Sequence, residues 1–329
     1  MSIVYTDAGN VDFAQAAQVL AFSLPVRADW TEAKTRKAFQ NSTCAVFALD
    51  GDRVAAAGRV LSDREAWALV TDVAVLPEYR GRGIGSGVLE RLLEQVRGQE
   101  VFTYTYARAV PFFEARGFRR SRNSFTYAGQ GGEAIDRRLP EEEFFLPAGY
   151  WFEGERNAPT GNFPKGKKSA LNRNDLAISY TDRTEGIDYA RLNELLSLAF
   201  GGRPRDGKIT RRTFDNSPYT EYAYDGGKLI GCARAESDGV SQGLILNVAV
   251  DPEYQGLHIG METVARLAAQ MKGQNLFLNT HPGGVGFYSR EGFRRNRTAL
   301  LLPAHPDMPP ETAAGFILPK GYRFDGETF

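Results

Sequence analysis

The chain alternates between two hydrophobic periods, and this alternation predicts its secondary structure. Near the start, Phe13, Ala16, Ala17 and Leu20 recur at the spacing of one helix face. Shorter apolar runs, two of them joined by the turn sequence D-G-D at Asp50, are typical of strands. In the first half the pattern predicts helices at 11–22, 31–39, 84–96 and 110–115, and strands at 2–5, 43–49, 54–61, 66–75, 101–106 and 118–127.

The same pattern returns about 175 residues later, and this repeat is the main organising feature of the sequence. V-A-V-L-P-E-Y at Val73 matches V-A-V-D-P-E-Y at Val248, and F-F-E-A-R-G-F-R-R at Phe112 matches F-Y-S-R-E-G-F-R-R at Phe287. A repeat of this length indicates a duplicated domain. The expected organisation is a first domain at 1–155, a linker at 156–175 and a second domain at 176–329.

Both copies also end in a similar tail. The first reads L-P-A-G-Y at Leu146 and the second L-P-K-G-Y at Leu318. The sequence leaves open whether each tail packs on its own copy or crosses to the other.

The composition, 42% hydrophobic and 24% charged over 329 residues, is that of a globular protein with room for two cores. The formal net charge is zero, so the overall charge gives no reason to expect nucleic acid or an anionic membrane as partner. No apolar run approaches membrane-spanning length, and the start does not read as a signal peptide. Cys44 and Cys232 lie in apolar runs and are expected to be buried thiols, which favours a cytoplasmic location. His258, His281 and His305 match no common metal spacing, and no metal is expected.

The most informative stretch is a strand, a glycine-rich turn and a helix. The turn reads R-G-R-G-I-G from Arg80, and the helix begins at Ile84. The first turn of a helix offers unpaired N–H groups and a partial positive charge, and glycines before it let the backbone approach a ligand closely. With Arg80 and Arg82 beside it, the turn is suited to a phosphate or pyrophosphate. The alternative is a plain helix-capping turn, and the second occurrence of the unit, near Asn247, weighs against it.

Two segments in each copy resemble the GNAT family of acyl-CoA-dependent N-acyltransferases. R-G-R-G-I-G at Arg80 resembles the family's pyrophosphate loop, and A-V-P-F-F-E-A-R-G-F at Ala109 resembles its late helix with the G-F ending. The resemblance implies an α/β fold of two tandem GNAT-like domains. In each, helices flank a mixed, mostly antiparallel sheet, and the strand before the loop splays from the next one. It also implies acetyl-CoA or another acyl-CoA as cosubstrate.

The resemblance further implies where the cosubstrate binds. Backbone groups near Val73 and Val75 would pair with the pantetheine arm, and a strand N–H there would face the thioester oxygen. The pyrophosphate would lie on the loop, which comprises Arg80, Gly81, Arg82, Gly83, Ile84 and Gly85.

The two copies differ at this loop. His258 stands where the first copy has Gly83, and a side chain at a position of positive φ costs about 1–2 kcal/mol. Gln255 and Leu257 replace the two arginines, and Asn247 replaces Asp72. The second copy is therefore expected to be degenerate as an acyl-CoA site.

The catalytic side chains of the first copy must be chosen without histidine, because that half of the chain contains none. Asp72, on the strand beside the expected thioester, is the first candidate for general base; its alternative role is a strand-end carboxylate in a turn. GNAT enzymes often protonate the leaving thiolate with a tyrosine of the late helix, which is Phe113 in the first copy and Tyr288 in the second. The first copy would then protonate the thiolate through water or a nearby tyrosine, Tyr104 or Tyr106, unless both are core or surface aromatics.

The predicted function is transfer of an acyl group, most simply acetyl, from acyl-CoA to a small-molecule primary amine by direct attack on the thioester. The active site is expected in the first domain, bordered by Glu32 and Trp30, with the second domain as a buttress or a wall of the acceptor site. Cys44 is not expected to be a nucleophile, since no histidine in its half can activate it. The alternatives are an acyl carrier protein as donor and a protein that binds a CoA species without chemistry.

Overall fold

The structure is a computed structural model. It describes residues 2–7, 9, 11–127, 141–147, 150–152, 169–202, 204–290, 292–304, 316–325 and 327. Most of the predicted linker, 156–168, lies outside the described residues.

The helices and strands of the first copy follow the predicted order, with ends that shift by one or two residues. The elements are β1 (Ile3–Thr6), α1 (Phe13–Ser23), α2 (Glu32–Gln40), β2 (Cys44–Asp50), β3 (Arg53–Ser62), β4 (Trp67–Val75), α3 (Ile84–Gln95), β5 (Glu100–Tyr104), α4 (Val110–Glu114), β6 (Arg119–Arg120), β7 (Ser124–Tyr127) and α5 (Glu141–Phe144). Two predictions differ in substance: β5 ends before Tyr106, and the segment 118–127 forms two strands instead of one.

The second copy repeats this order. Its elements are β8 (Ile178–Thr181), α6 (Tyr189–Ala199), α7 (Gly207–Asn216), β9 (Tyr219–Asp225), β10 (Lys228–Ser237), β11 (Gln242–Val250), α8 (Ile259–Gln270), β12 (Asn275–Asn279), α9 (Val285–Arg290), β13 (Arg294–Arg295) and β14 (Ala299–Leu302). The local causes repeat as well, since Asp12 and Asp188 each cap the first helix of their copy by accepting two backbone N–H bonds.

The described strands form two seven-stranded mixed sheets, and the copies exchange their last strands. The orders are β1-β2-β3-β4-β5-β14-β6 and β13-β7-β12-β11-β10-β9-β8. Strand β14 of the second copy pairs with β5 and β6, whereas β7 of the first copy pairs with β12 and β13. Pairing is antiparallel except between β4 and β5 and between β11 and β12. Each sheet is therefore completed by a strand of the other copy.

The tails cross in the same way. The Leu146 N–H donates to the Arg295 carbonyl, and the Leu318 N–H donates to the Arg120 carbonyl. Leu146 and Leu318 then meet in one apolar cluster with Phe152. The question that the sequence left open is answered: each tail packs on the opposite copy.

An apolar layer and two buried ion pairs hold the copies together. Arg59 pairs with Asp238 at 2.8 Å, and Arg234 pairs with Asp63 at 2.7 Å. These four side chains are at most 1% exposed, so removing one charge would leave its partner buried and uncompensated. The apolar layer consists of Leu61, Leu69, Phe102, Leu244, Leu246, Phe277, Leu301 and Ile317.

No helix in the described part of the chain is long and apolar enough to cross a membrane.

Candidate active site

Strand β4 separates from β5 halfway along its length. The two strands pair from Trp67 to Val70, and β4 then continues unpaired on that side to Val75. On its other side β4 remains bonded to β3, and the Leu76 N–H donates to the Ala55 carbonyl. Since successive backbone groups of a strand point to opposite sides, those of Val73 and Val75 point into the gap. This gap has the shape expected for the pantetheine arm.

One of these backbone groups is already in use. The Val75 carbonyl accepts the Ser23 hydroxyl at 2.9 Å and Nε of Arg80 at 3.0 Å. We therefore expect Val73 to contribute more than Val75 to any ligand that enters the gap.

A β-bulge lies where β4 leaves its neighbour. The register between β3 and β4 shifts between Ala57 and Arg59, and Asp72 adopts a left-handed conformation with φ +54°. A non-glycine residue rarely adopts this conformation unless its surroundings hold it there. The equivalent residue of the second copy, Asn247, has φ +50°. Both copies have therefore kept the bulge.

Two arginines hold the carboxylate of Asp72. Oδ1 accepts Nε of Arg27 at 2.8 Å, and Oδ2 accepts Nε of Arg59 at 2.6 Å. Burial of the Asp72 carboxyl opposes its charge, but the two guanidinium groups outweigh this and lower its pKa. A carboxylate with both oxygens ion-paired and a lowered pKa is a poor general base. The geometry argues against that role for Asp72 and fits the alternative, a structural carboxylate.

The glycine loop has the conformation that the sequence predicts. Gly81 has φ +72° and Gly83 has φ +77°, and Gly83 caps α3 without a side-chain hydrogen bond. A Cβ built on either glycine meets no atom within 4 Å, so the space above the loop is open. Arg80 and Arg82 are exposed, whereas Ile84 is buried in the core and can offer only its backbone. Gly85 is different, because a Cβ there would lie 3.1 Å from Cγ2 of Val75. The loop presents bare amides at the start of a helix, as an anion site requires.

A cavity of about 850 Å³, including its open mouth, occupies the gap between β4 and β5. Both copies line it. The first copy contributes Leu24, Val26, Arg27, Thr71, Asp72, Val73, Thr103, Tyr104, Thr105, Tyr106, Phe113, Thr126, Phe144 and Phe145, and the second contributes Gln242, Asn275, Phe277 and Asn296. Glu32 and Trp30 are not among the lining residues.

The two candidate tyrosines both line this cavity but differ in their surroundings. The Tyr104 ring stacks on Phe277 with centroids 3.9 Å apart, and burial raises the pKa of Tyr104. Tyr106 lies beyond the end of β5, and its hydroxyl accepts the Val26 N–H at 3.3 Å. Phe113 lines the cavity from α4, where its ring has no proton to give. We retain Tyr106 as the candidate acid because its hydroxyl contacts the backbone of Val26, which also lines the cavity.

The second copy's loop has the same backbone but a different surface. His258 takes the place of Gly83 with φ +61°, and Nε2 of Gln255 replaces Arg80 as donor, to the Val250 carbonyl. The segment that leads into the second copy bonds to this region, since the Arg173 guanidinium donates to the Leu257 carbonyl and the Ser169 hydroxyl donates to the Glu253 carbonyl. His258 itself remains exposed. Tyr288, the counterpart of Phe113, is buried among Phe125 and Phe293. Burial raises the pKa of the Tyr288 hydroxyl.

The surroundings of the two cysteines disfavour the reactive thiolate form. Both are free thiols, and burial raises the pKa of Cys44 to about 11 and that of Cys232 to about 12.

Glu32 is exposed and pairs with Arg36 on its own helix. Among the described residues no group of three or more His, Cys, Asp or Glu side chains could hold a metal ion.

Sequence reasoning missed Arg27, Asp238 and Gln242. A signal was present, since S-D at Ser62 recurs at Ser237, in step with the repeat of Arg59 as Arg234.

Two family models match the chain. The acetyltransferase (GNAT) family model covers residues 14–118, and the acetyltransferase (GNAT) domain model covers 218–295. The chain is 30% identical over 122 residues to serotonin N-acetyltransferase 2, chloroplastic, of Oryza sativa subsp. japonica, covering 35% of this chain and 60% of that protein. It is 33% identical over 116 residues to GCN5-related N-acetyltransferase 1, chloroplastic, of Arabidopsis thaliana, covering 33% of this chain and 58% of that protein. The chain thus spans about three fifths of each of these relatives.

Solved structures with similar architecture span nearly the whole chain. A GCN5-related N-acetyltransferase from Sphaerobacter thermophilus is 18% identical with a TM-score of 0.49, covering 91% of this chain and 94% of that one. A tandem GNAT protein from the clavulanic acid biosynthesis pathway is 15% identical with a TM-score of 0.49, covering 93% and 99%.

Proposed function

Because the chain belongs to the GNAT acetyltransferase family, we propose that its first copy transfers an acyl group, most simply acetyl, from acyl-CoA to a small primary amine. The observation that carries this proposal is that the open glycine loop and the splayed strand lie together in the first copy, beside a cavity that reaches the gap. The loop amides and the two arginines bind the pyrophosphate, and the pantetheine arm lies along Val73.

The chemistry that follows is a direct displacement. The amine nitrogen attacks the thioester carbon, the new C–N bond forms, and the C–S bond breaks as the thiolate leaves. The Val73 N–H, which points into the gap, stabilises the oxyanion of the tetrahedral intermediate. The ammonium proton passes to water at the mouth of the cavity, Tyr106 gives the thiolate its proton, and water returns a proton to Tyr106. Asp72 keeps a structural role and exchanges no proton.

The cavity lining favours an acceptor with an apolar or aromatic body. Arg27 and Asp72 are the only charged side chains among its described lining residues, and they pair with each other. An ammonium would find no free carboxylate there, so the acceptor enters as a neutral amine. Aromatic rings form much of the wall, and the name of the rice relative makes serotonin a suitable first probe.

The test is amine-dependent release of free thiol from acetyl-CoA, combined with calorimetry. We expect thiol release above the no-amine background with at least one aromatic or arylalkyl amine, and one acetyl-CoA site per chain. Two equivalent sites, or no binding, would contradict the proposal. Activity with an acylated carrier protein but none with acyl-CoA would replace the donor, because the pantetheine arm is common to both.

A second candidate, a protein that binds a CoA species without chemistry, is favoured by one observation. Phe113 occupies the position from which a tyrosine would reach the thiolate, and its ring cannot donate. Tight binding of acetyl-CoA without thiol release from any amine in the panel would support this candidate. A cytoplasmic location remains a prediction.

A further inference from the structure

A buried chain of alternating charges connects the second copy to the bulge of the first. Asp238 pairs with Arg59 at 2.8 Å, Arg59 pairs with Asp72 at 2.6 Å, and Asp72 pairs with Arg27 at 2.8 Å. The side chains of these four residues, Asp238, Arg59, Asp72 and Arg27, are each at most 4% exposed. Asp72 and Arg27 line the cavity, so the chain of charges begins in one copy and ends in the candidate active site of the other.

The charges of this cluster balance only when Asp238 is counted. Arg27 and Arg59 carry two positive charges, and Asp72 supplies one negative charge within the first copy. Without Asp238, Arg59 would have Asp72 as its sole carboxylate partner among the described residues and would compete for it with Arg27. The carboxylate of Asp72 fixes a backbone in the left-handed region, so a shift of this group shifts the bulge and the Val73 N–H next to it.

Asp238 also shapes the cavity wall directly. Its Oδ1 accepts the backbone N–H groups of Val240, Ser241 and Gln242 at 2.7–3.1 Å. Gln242, at the end of this turn, is one of the second-copy residues that line the cavity.

Asp63 of the first copy is the counterpart of Asp238 and provides an internal control. Asp63 accepts the backbone N–H groups of its own turn in the same way, and it pairs with Arg234 at 2.7 Å. Arg234 in turn bonds Asn247 at 2.6 Å, on the bulge of the second copy. Asp63 and Asp238 therefore have equal burial and the same backbone bonds, but they act on the bulges of different copies. Asp238 accepts one further bond, from the Ser241 hydroxyl at 2.8 Å.

We propose that Asp238 of the second copy is a positioning residue of the first copy's active site, holding the bulge at Asp72 in place through Arg59. This inference rests on the proposed function for its kinetic consequence, and it assigns the second copy a part in the chemistry of the first. The glycine loop from Arg80 to Gly83 is exposed whereas these four side chains are buried, so acyl-CoA binding is expected to depend little on Asp238.

The kinetic test compares Asp238→Asn with Asp63→Asn in the full-length protein. Asparagine keeps an oxygen for the backbone N–H bonds and removes the charge. We expect kcat for acyl transfer to fall about 10- to 100-fold in Asp238→Asn, with KM for acyl-CoA changed by less than about threefold. Asp63→Asn is expected to lower thermal stability similarly while kcat stays within about twofold of the wild type. Equal kcat in the two variants, after correction for the folded fraction, would overturn the proposal.

Hydrogen exchange supplies a readout that does not need activity. We expect backbone amides of 71–75 to exchange at least about tenfold faster in Asp238→Asn than in the wild type, and those of 246–250 to respond only in Asp63→Asn. The same response of both segments in both variants would overturn the proposal. If Asp238→Asn does not fold, Asp238→Glu and Asp63→Glu take their place, with the same segment-specific pattern expected. A wild-type protein without amine-dependent thiol release would refute the proposed function, and the exchange pattern would still decide whether Asp238 orders the bulge.

Discussion

The loops of the two copies share a backbone and differ in nearly everything that a ligand would meet. Both place a left-handed residue before the helix, Gly83 with φ +77° and His258 with φ +61°. The first loop is exposed and flanked by arginines, whereas the second carries an imidazole and accepts a hydrogen bond from Arg173 at the Leu257 carbonyl. The same loop backbone therefore lies in two different chemical surroundings.

The two copies also differ at their β-bulges, in the interior of the protein. Asp72 of the first copy becomes Asn247 in the second, and the lost negative charge is supplied from the next strand by Glu236, where the first copy has Leu61. Arg234 thus keeps two carboxylate partners, Asp63 and Glu236. Each copy thus has a buried arginine, Arg59 or Arg234, with two carboxylate partners. In the second copy one of these carboxylates, Glu236, lies on β10 and not on the splayed strand.

The change with the largest expected effect makes the first loop resemble the second. Gly83→His should weaken acetyl-CoA binding by about 100-fold or more, because the imidazole occupies the open space above the amides and the left-handed backbone disfavours a side chain. Titration calorimetry measures the affinity. Gly51→His is the matched control, since Gly51 has φ +62° and an equally open Cβ position in a remote turn. Equal loss in both variants would mean that strain, not the ligand site, is responsible.

The second expected effect is a pH dependence that belongs to the second copy alone. Burial raises the pKa of Glu236 to about 7, against the opposing effect of Arg234. The unfolded chain then releases this proton at lower pH than the folded chain, so stability falls as pH rises from about 4.5 to about 7. Glu236→Gln has no carboxyl group at this position and does not lose this stability. The difference in free energy of unfolding between the variant and the wild type should therefore be larger at pH 8 than at pH 5, in favour of the variant, by on the order of 2 kcal/mol. Urea unfolding of both proteins at pH 5 and pH 8 measures these free energies. The same difference between variant and wild type at both pH values would contradict the prediction.

Asp72 responds to pH with the opposite sign. The flanking arginines lower the pKa of Asp72, so its contribution to stability is present above the ordinary carboxyl pKa and is lost as pH falls through the lowered value. The two bulges therefore lose stability at opposite ends of the pH range.

A smaller effect is expected from removing the loop charges. Arg80→Ala combined with Arg82→Ala should weaken acetyl-CoA binding about tenfold and flatten its dependence on salt, because two cations near the pyrophosphate are lost. Calorimetry at two ionic strengths measures both. The matched variant of the second copy, Gln255→Ala with Leu257→Ala, should leave binding unchanged, and a comparable loss there would place ligand at the second loop.

The smallest expected effect is the reverse replacement. His258→Gly relieves a left-handed non-glycine residue and should raise the free energy of unfolding by about 1 kcal/mol. It should not create a second acetyl-CoA site, since Gln255 and Leu257 still stand where the first copy has its two arginines. A stoichiometry of two in this variant would show that the imidazole alone had closed the second site.

Local pattern predicted the elements and the need for a left-handed residue before each loop helix. The helix face of Phe13, Ala16, Ala17 and Leu20 is buried as its spacing indicates. Periodicity reports which face of an element is buried, and a glycine at a turn reports backbone conformation, so both are visible in one sequence.

The strand exchange was not predictable in this way. Strands β7 and β14 are equivalent short segments, and backbone hydrogen bonds between strands do not specify which copy supplies the partner. The ion pairs of Asp72 were hidden for a related reason. Arg27 lies 45 residues away and Arg59 lies 13 away, and both reach Asp72 only because the bulge turns its side chain inward.

A crystal structure of the full chain with acetyl-CoA tests most directly whether the first copy binds the cosubstrate. We predict one nucleotide per chain, with its pyrophosphate on the amides of Gly83, Ile84 and Gly85 and its thioester beside Val73. Nucleotide density at the His258 loop with the Gly83 loop empty would contradict it.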